Sequence, residues 1–581
     1  MTTLTDRPAD ASPPPEVRLV RSRTPLLRRI NLSGVVVAAA FICWLISMPG
    51  MHDVKESQYG LLPVASPFFV ASIILTTIGF ALAVRAGSTA VAWAATFCSV
   101  AILRVTISLA TAVPYYSWTY KHIAVVDYIE KSGTVARDVD IYHHWPGLFA
   151  FTAWFSDLTG LNATTIAHWY TPVAYIIEVG VLYAMARAWD CKKMTAIIVA
   201  FLVQNLDWIG QGYFSPQWTA FLMALGVVTL IGLSRKQPRY LWLMIVLFSA
   251  LTVTHQLTPY WLIAVAGLLF LTRQVKPWWL FIVFIVIAGG FLTYNWESAA
   301  QFHLLNVDPI SNAQTNVPTI GIKGQQVTSG MVRVLCASFW IAAVIAAIVR
   351  MVQRKPFMAA SVLAFSAFGI LGGQGYGGEA IFRVFLFSLP GCALLVAPLV
   401  ESFLTAKRRF WFVPMVALLT VWSIFSAQGL FGAWFAYRMT KEEVAESTAL
   451  LNDIPIPAWL TSAAPVWPER NSAKYVDYAR WNHVYDQQAI YATNLVGSHF
   501  ATDADYAKVN ALVAARGNVP TYFIITKQMQ FYDWYFGILP YDALPNLEKK
   551  MSADPKWSTY YRTNSVIVFK SNFFPTGTAA K

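Results

Sequence analysis

The sequence predicts an α-helical polytopic membrane protein carrying a small α/β domain at its C-terminal end. Three observations predict it. Of 581 residues, 56% are hydrophobic and only 13% charged, against about 25% charged in soluble domains. Apolar runs near the length that crosses a bilayer, about 20 residues, recur as far as residue 427. From 428 to 581 hydropathy falls and Trp, Tyr and Pro become frequent. A soluble enzyme, a disordered chain and a disulfide scaffold are excluded.

Each element follows in order. Residues 1–31 are polar and Pro-rich and end in Arg21, Arg23, Arg28 and Arg29. They read as a cytoplasmic tail that orients the first span. Apolar runs follow at 33–50, 64–84, 89–112, 165–187, 192–206, 216–233, 239–254, 258–272, 277–294, 331–350, 357–373, 382–402 and 409–427. This makes about thirteen transmembrane helices, an odd number that leaves the C-terminal domain outside. The inner connections are then "RAWDCKK", "SRKQPR", "TRQVKP", "RMVQRKP" and "TAKRRF". The outer ones, such as "DWIGQGYFS" and "NWESAAQFH", are neutral or acidic. That sorting accounts for the net charge of +13 without nucleic acid, and it places the chain in the plasma membrane with its N-terminus cytoplasmic. The count requires residues 146–160 to lie at the outer interface instead of spanning. Residues 32–427 form the transmembrane domain, with long outer loops at 113–145 and 295–330. Residues 428–581 form the extracytoplasmic domain, in which "TYFIITK" and "SVIVFK" read as buried strands. The five cysteines lie in or beside apolar runs and imply no disulfide framework.

Ionisable residues at membrane depth are costly and are therefore candidates for function. Four groups stand out on the outer side. Loop 113–145 concentrates Lys121, His122, Asp127, Asp138, Asp140, Tyr142, His143 and His144 before Trp145-Pro146-Gly147. Tyr120–Gly133 reads as an amphipathic helix with Asp127 toward the membrane surface. Charge that merely solvates a loop is the simpler reading; the density of aromatics argues for a site. In "QGYFSPQ", Pro216 opens a helix and Ser215 caps it, with Gln217 beside them. The exposed amides of that start form an anion cradle, or an ordinary cap. In "THQLTPY", His255 and Gln256 suit a sugar or phosphate, or a structural turn. In "GYGGEAIFRVFLF", Glu379 and Arg383 stand one helical turn apart beside Gly373, Gly375, Gly377 and Gly378. The arginine suits a lipid phosphate, or the two side chains stabilise each other. Asp53, Lys55 and Glu56 form a smaller cluster after the first span. Arg104 and Glu178, inside spans, read as a buried pair. No Walker loop, dinucleotide fingerprint, Gly-x-Ser-x-Gly or zinc-spaced His/Cys cluster is present.

The loop helix ended by Gly133, followed by "DIYHHWPGLF", "YFSPQ", "HQLTP" and "GGEAIFRVFLFSLP", resembles the GT-C glycosyltransferases, in particular an actinobacterial and archaeal branch. The resemblance covers about 33–427 and the outer C-terminal domain. It implies a GT-C-like fold and inverting transfer of a sugar from a polyprenyl-phosphate donor to a cell-envelope glycan, lipid or protein on the outer face. Such chemistry asks for a carboxylate base, and Asp127, Asp140 and Asp53 are the candidates, in that order. Arg383, Lys121 and the helix start at Ser215–Gln217 are expected to hold phosphate. Tyr142, Trp145 and Trp118 are expected to stack on sugar rings. His122, His143, His144, His255, Gln256 and Glu379 complete the expected binding groups. A divalent metal ion is compatible with this chemistry, but no ligand set is legible. One departure stands out. The acidic residue or pair that GT-C enzymes carry at the start of this loop falls, by spacing, near Trp118-Thr119. Two other functions are open: a transporter or flippase of a lipid-linked saccharide, or a non-catalytic scaffold of cell-wall assembly.

Overall fold

The structure, a computed structural model, describes residues 32–301, 309–314, 321–373, 379–492 and 494–572. The predicted tail, parts of the 295–330 loop and Gly375, Gly377 and Gly378 lie outside the described residues. Each apolar run folds as a helix. Among the described residues eight helices are long and apolar enough to cross a membrane, from Leu32–Gly50 to Phe410–Tyr437. The chain is thus a polytopic membrane protein. The five remaining runs form shorter apolar helices, Lys193–Leu206, Tyr240–Thr254, Thr258–Leu271, Trp279–Tyr294 and Met358–Gly372. Residues 146–160 give Gly147–Thr159, 13 residues long and short of a crossing, with Phe151, Trp154 and Leu158 exposed along it.

The bundle is organised around Ala380–Thr405, the most deeply buried of the eight long helices. It tolerates Pro390 and Pro398 inside it, as membrane helices can when neighbours satisfy the freed backbone groups. Polar side chains pair across its neighbours. Ser99 donates to Asn205 at 3.0 Å, and Asn205 donates to Ser423 at 2.6 Å. In Thr89–Ala110 the backbone widens into a π-turn at Ala101–Val105 that carries Arg104, a distortion often found where a helix serves a site.

The C-terminal domain is a four-stranded sheet flanked by helices. Strands β1 (Trp459–Ser462), β2 (Thr521–Thr526), β3 (Trp557–Arg562) and β4 (Val566–Ser571) lie in the order β1-β2-β4-β3. β1 and β2 are parallel, and the other pairings are antiparallel. β2 and β4 are the two strands expected from sequence, and β2 is buried at every position, as a strand covered on both faces must be. The helix Lys527–Phe536 follows β2 directly and carries the domain onto the membrane bundle. Phe531 packs on Phe435, and Tyr532 and Phe536 pack on Tyr437.

All five native cysteines lie in the membrane domain and are unpaired. A cysteine introduced at the exposed Asn518 should therefore react with a membrane-impermeant maleimide from outside intact cells; labelling only after permeabilisation would reverse the assigned orientation.

Candidate functional site

A cavity of about 630 Å³ lies between the bundle and the C-terminal domain. Its lining is drawn from distant parts of the chain. The C-terminal half of Thr89–Ala110 and the loop Tyr115–Tyr116 supply one side, and Trp208–Tyr213 supplies a second. The helix Lys323–Val352 lines it from Gln325 to Trp340, and Tyr535 and Phe536 of the C-terminal domain close it. Aromatic rings dominate: Tyr115 stacks on Trp434 at 4.9 Å, and Tyr116 meets Tyr213 and Tyr437 edge-on. Burial pushes the phenols of Tyr116 and Tyr213 upward, so both remain neutral donors. The approach is tight where Gly212 crosses Tyr175, since a Cβ there would stand 2.2 Å from the ring.

The floor is polar. Arg104, 1% exposed, donates to the Gln204 and Asp207 carbonyls at 3.1 and 2.6 Å. Its guanidinium stacks on Tyr175 at 3.9 Å. Asp207 is its ion partner at 3.8 Å, and Asp207 also receives the Tyr175 hydroxyl at 2.5 Å. The expected Arg104–Glu178 pair is thus replaced by Arg104–Asp207. The carbonyls freed at the end of Lys193–Leu206 and the carboxylate after it lie closer to the π-turn. Glu178 is fully buried with neither oxygen hydrogen-bonded.

Of the side chains expected from sequence, Glu379 lines the cavity. It accepts from Arg383 at 2.6 Å, the one-turn pair anticipated. Arg383 is buried and faces His255, Tyr116 and Tyr213. Around this pair gather His122 and Tyr142. His122 stands edge-on to Tyr142 at 4.9 Å and parallel to Tyr213 at 5.9 Å. Its Nδ1 donates to the Phe214 carbonyl at 2.7 Å. Burial pushes its imidazole down to about 4.

The other loop residues have a different employment. Asp127 does not point at the membrane surface; it binds Lys131 at 2.8 Å and the backbone amide of Ala473 at 2.7 Å. Asp138 takes a two-pronged contact from Arg480. Lys121 lies over Trp118 and pairs with Glu469 at 2.9 Å. The Ala136 amide donates to His143 Nδ1, so Nε2–H donates to Tyr475 at 2.7 Å. The Tyr475 hydroxyl donates to Asp140 at 3.1 Å. Arg470 stands 3.6 Å from Asp140 and binds Asp486 at 2.7 Å. Asp140 also caps Tyr142 at 2.9 Å. Together these contacts seat the C-terminal domain on the loop.

The remaining side chains hold local structure. His144 Nε2 donates to the Arg137 carbonyl at 2.7 Å, and Trp145 is buried against Phe291. Ser215 caps Trp218 as expected. The helix start is buried with Gln217, so it offers no open anion cradle. His255 Nδ1 accepts from the Thr258 amide at 3.2 Å and caps the next helix, with Gln256 half-buried beside it. Asp53 is exposed on the loop after the first span, outside the cavity lining. Sequence reasoning missed the role of Arg104, Arg333 and the Tyr115–Tyr116 pair. An arginine inside an apolar run was the available signal for the first two.

No family model and no curated protein matches the chain. Among solved structures, it is similar to ArnT from Cupriavidus metallidurans in the apo state, with a TM-score of 0.44 and 12% identity over 83% of this chain and 96% of that one. It is also similar to the same protein bound to undecaprenyl phosphate, with a TM-score of 0.42 and 12% identity over 83% and 98%.

Two outcomes follow from the seated interface. Arg470→Ala leaves Asp140 and Asp486 without their cation at a buried site and should cost about 3–5 kcal/mol; Arg480→Ala, at an exposed pair, should cost at most about 1 kcal/mol. Equal thermal shifts for the two variants would contradict this. Burial lowers both His122 and His143, so each contributes stability above the ordinary imidazole value of 6.5 that is lost as pH falls below it, for His122 toward about 4. Protection against hydrogen exchange in Trp118–Ser132 and Tyr475–Trp481, taken relative to the intrinsic rate at each pH, should fall over that window, and unchanged protection would refute the reading.

Proposed function

We propose that the chain is an integral-membrane glycosyltransferase of the GT-C, inverting type. It takes a polyprenyl-phosphate-linked sugar into this cavity and transfers the sugar to a cell-envelope acceptor on the outer face. The supporting observation is the amphiphilic shape of the cavity. Its mouth holds Glu379, Gln325 and tyrosine hydroxyls, and its lining continues down Lys323–Val352 to Trp340. Gln325 to Trp340 is fifteen residues of helix, about 22 Å at 1.5 Å per residue. A ligand with a polar head and a long apolar tail fits such a space. Tyr115, Tyr116 and Trp434 offer ring faces to a sugar.

The chemistry is assigned accordingly. Glu379 is the acidic side chain in the lining among the described residues, and we assign it the proton of the acceptor hydroxyl as the bond from the anomeric carbon to phosphate oxygen breaks. Arg333, exposed on the cavity wall, and Arg383 stabilise the charge that develops on the departing phosphate. Asp127 and Asp140 act through the loop they hold, and Asp53 stands as a weaker alternative base. Among the described residues no three His, Cys, Asp or Glu side chains come together to hold a metal. The buried ionisable residues Arg104, Asp207 and Glu178 at membrane depth favour the flippase as the second reading.

The purified protein should bind a polyprenyl phosphate. Arg383→Lys should keep its fold and weaken that binding at least about tenfold, the loss of one charge-assisted contact of about 1.5–3 kcal/mol. Glu379→Gln should retain binding and slow transfer by about 10²–10⁴. A deletion strain should accumulate one lipid-linked donor. Transbilayer movement of that lipid without transfer would select the flippase instead.

A further inference from the structure

The helix Lys527–Phe536 forms one wall of the cavity through Tyr535 and Phe536. Its start is capped by Thr526, which accepts from Met529 N at 3.1 Å. Its end turns at Gly537, whose φ of 68° a side chain would oppose. That end also closes against the membrane domain, where the Ile322 amide donates to the Tyr535 carbonyl at 3.2 Å. Seating of this one helix therefore determines whether the cavity is walled toward the outer solution.

In its last turn sits Asp533, 1% exposed. Among the described residues neither carboxyl oxygen has a hydrogen-bond partner and the side chain has no ion pair. Three features oppose a charge here. Among the described residues no donor compensates for lost hydration and no cation faces the carboxyl, and a carboxylate in the last turn meets the negative end of the helix dipole. Burial accordingly holds the carboxyl well above the usual carboxylate range. The titratable groups that face it are two phenols, Tyr491 of Ala489–Ala492 and Tyr532 of its own helix. The neighbouring elements, Trp434–Tyr437, Lys323–Val352 and β2, bring it no hydrogen bond or ion pair, and Lys527 stands at the opposite end of the helix.

We propose that Asp533 is a pH-sensitive latch on the cavity: uncharged, it lets the wall helix seat against the membrane domain; ionised, it forces the helix end outward and opens the mouth to the outer solution. The sign follows from proton binding. The seated state holds a proton that the open state releases, so seating is complete at low pH and weakens as pH rises above the ordinary carboxylate value of 3.8 toward the raised one. Over that interval the open-to-seated ratio grows about tenfold per pH unit. The latch concerns access and is independent of which ligand the cavity takes.

The test is hydrogen exchange on the full-length protein in nanodiscs from about pH 5 to about pH 9, reading 527–536 relative to Asp503–Ala514 of the same domain. In the wild type the relative exchange should climb with pH, by up to about tenfold per unit. In Asp533→Asn, neutral throughout, it should stay flat. Should the Asn variant fail to fold, Asp533→Leu makes the same comparison. A flat ratio in the wild type, or an equal climb in the neutral variant, overturns the latch.

Discussion

Tyr535 and Phe536 close the cavity only while the polar domain stays seated on the 113–145 loop. The buried part of that seating is a chain of hydrogen bonds and charges from the Ala136 amide through His143 and Tyr475 to Asp140, Arg470 and Asp486. The chain is largely buried, so each member depends on the next. A buried ion pair adds little to net stability, but loss of one partner strands the other in a poor dielectric. Such an interface is specified in one arrangement. It carries Lys527–Phe536 to the place where that helix closes the cavity, and the rings of Tyr437, Tyr532 and Phe536 complete the join.

The floor obeys the same constraint within the membrane. Arg104 satisfies two carbonyls that the end of Lys193–Leu206 leaves free, stacks on Tyr175 and neutralises Asp207. The π-turn at Ala101–Val105 makes this reach possible. Gly212 then brings the loop backbone down onto the same tyrosine. A charged base, an aromatic middle and a mouth holding the Glu379–Arg383 pair give the cavity its polarity.

Much of this was legible in the sequence. Apolar run length located the helices, because a bilayer demands internally bonded backbone over a fixed distance. Continuous apolar stretches located β2 and β4, and Ser215 and the Glu379–Arg383 pair followed from local spacing. The purpose of the loop acids was not legible. Asp127 finds its partner at Ala473, and Asp140 finds its partners at Arg470 and Tyr475, more than three hundred positions away. A cluster of acids reads the same whether it meets a substrate or another domain; only tertiary pairing separates the two. Arg104 was assigned the wrong carboxylate for the same reason, since Glu178 lies in the next apolar run and Asp207 just after the one beyond it, and only packing chooses between them.

The central claim is that the cavity holds an amphiphile with its head at Glu379 and its chain running toward Trp340. A polyprenyl phosphate bearing a diazirine in its first isoprene units tests this directly. Crosslinks should map to Lys323–Val352, around Cys336 and Trp340, and should disappear in excess unlabelled lipid. Crosslinks confined to exposed, lipid-facing positions such as Trp242 and Val246, and indifferent to competitor, would contradict the account.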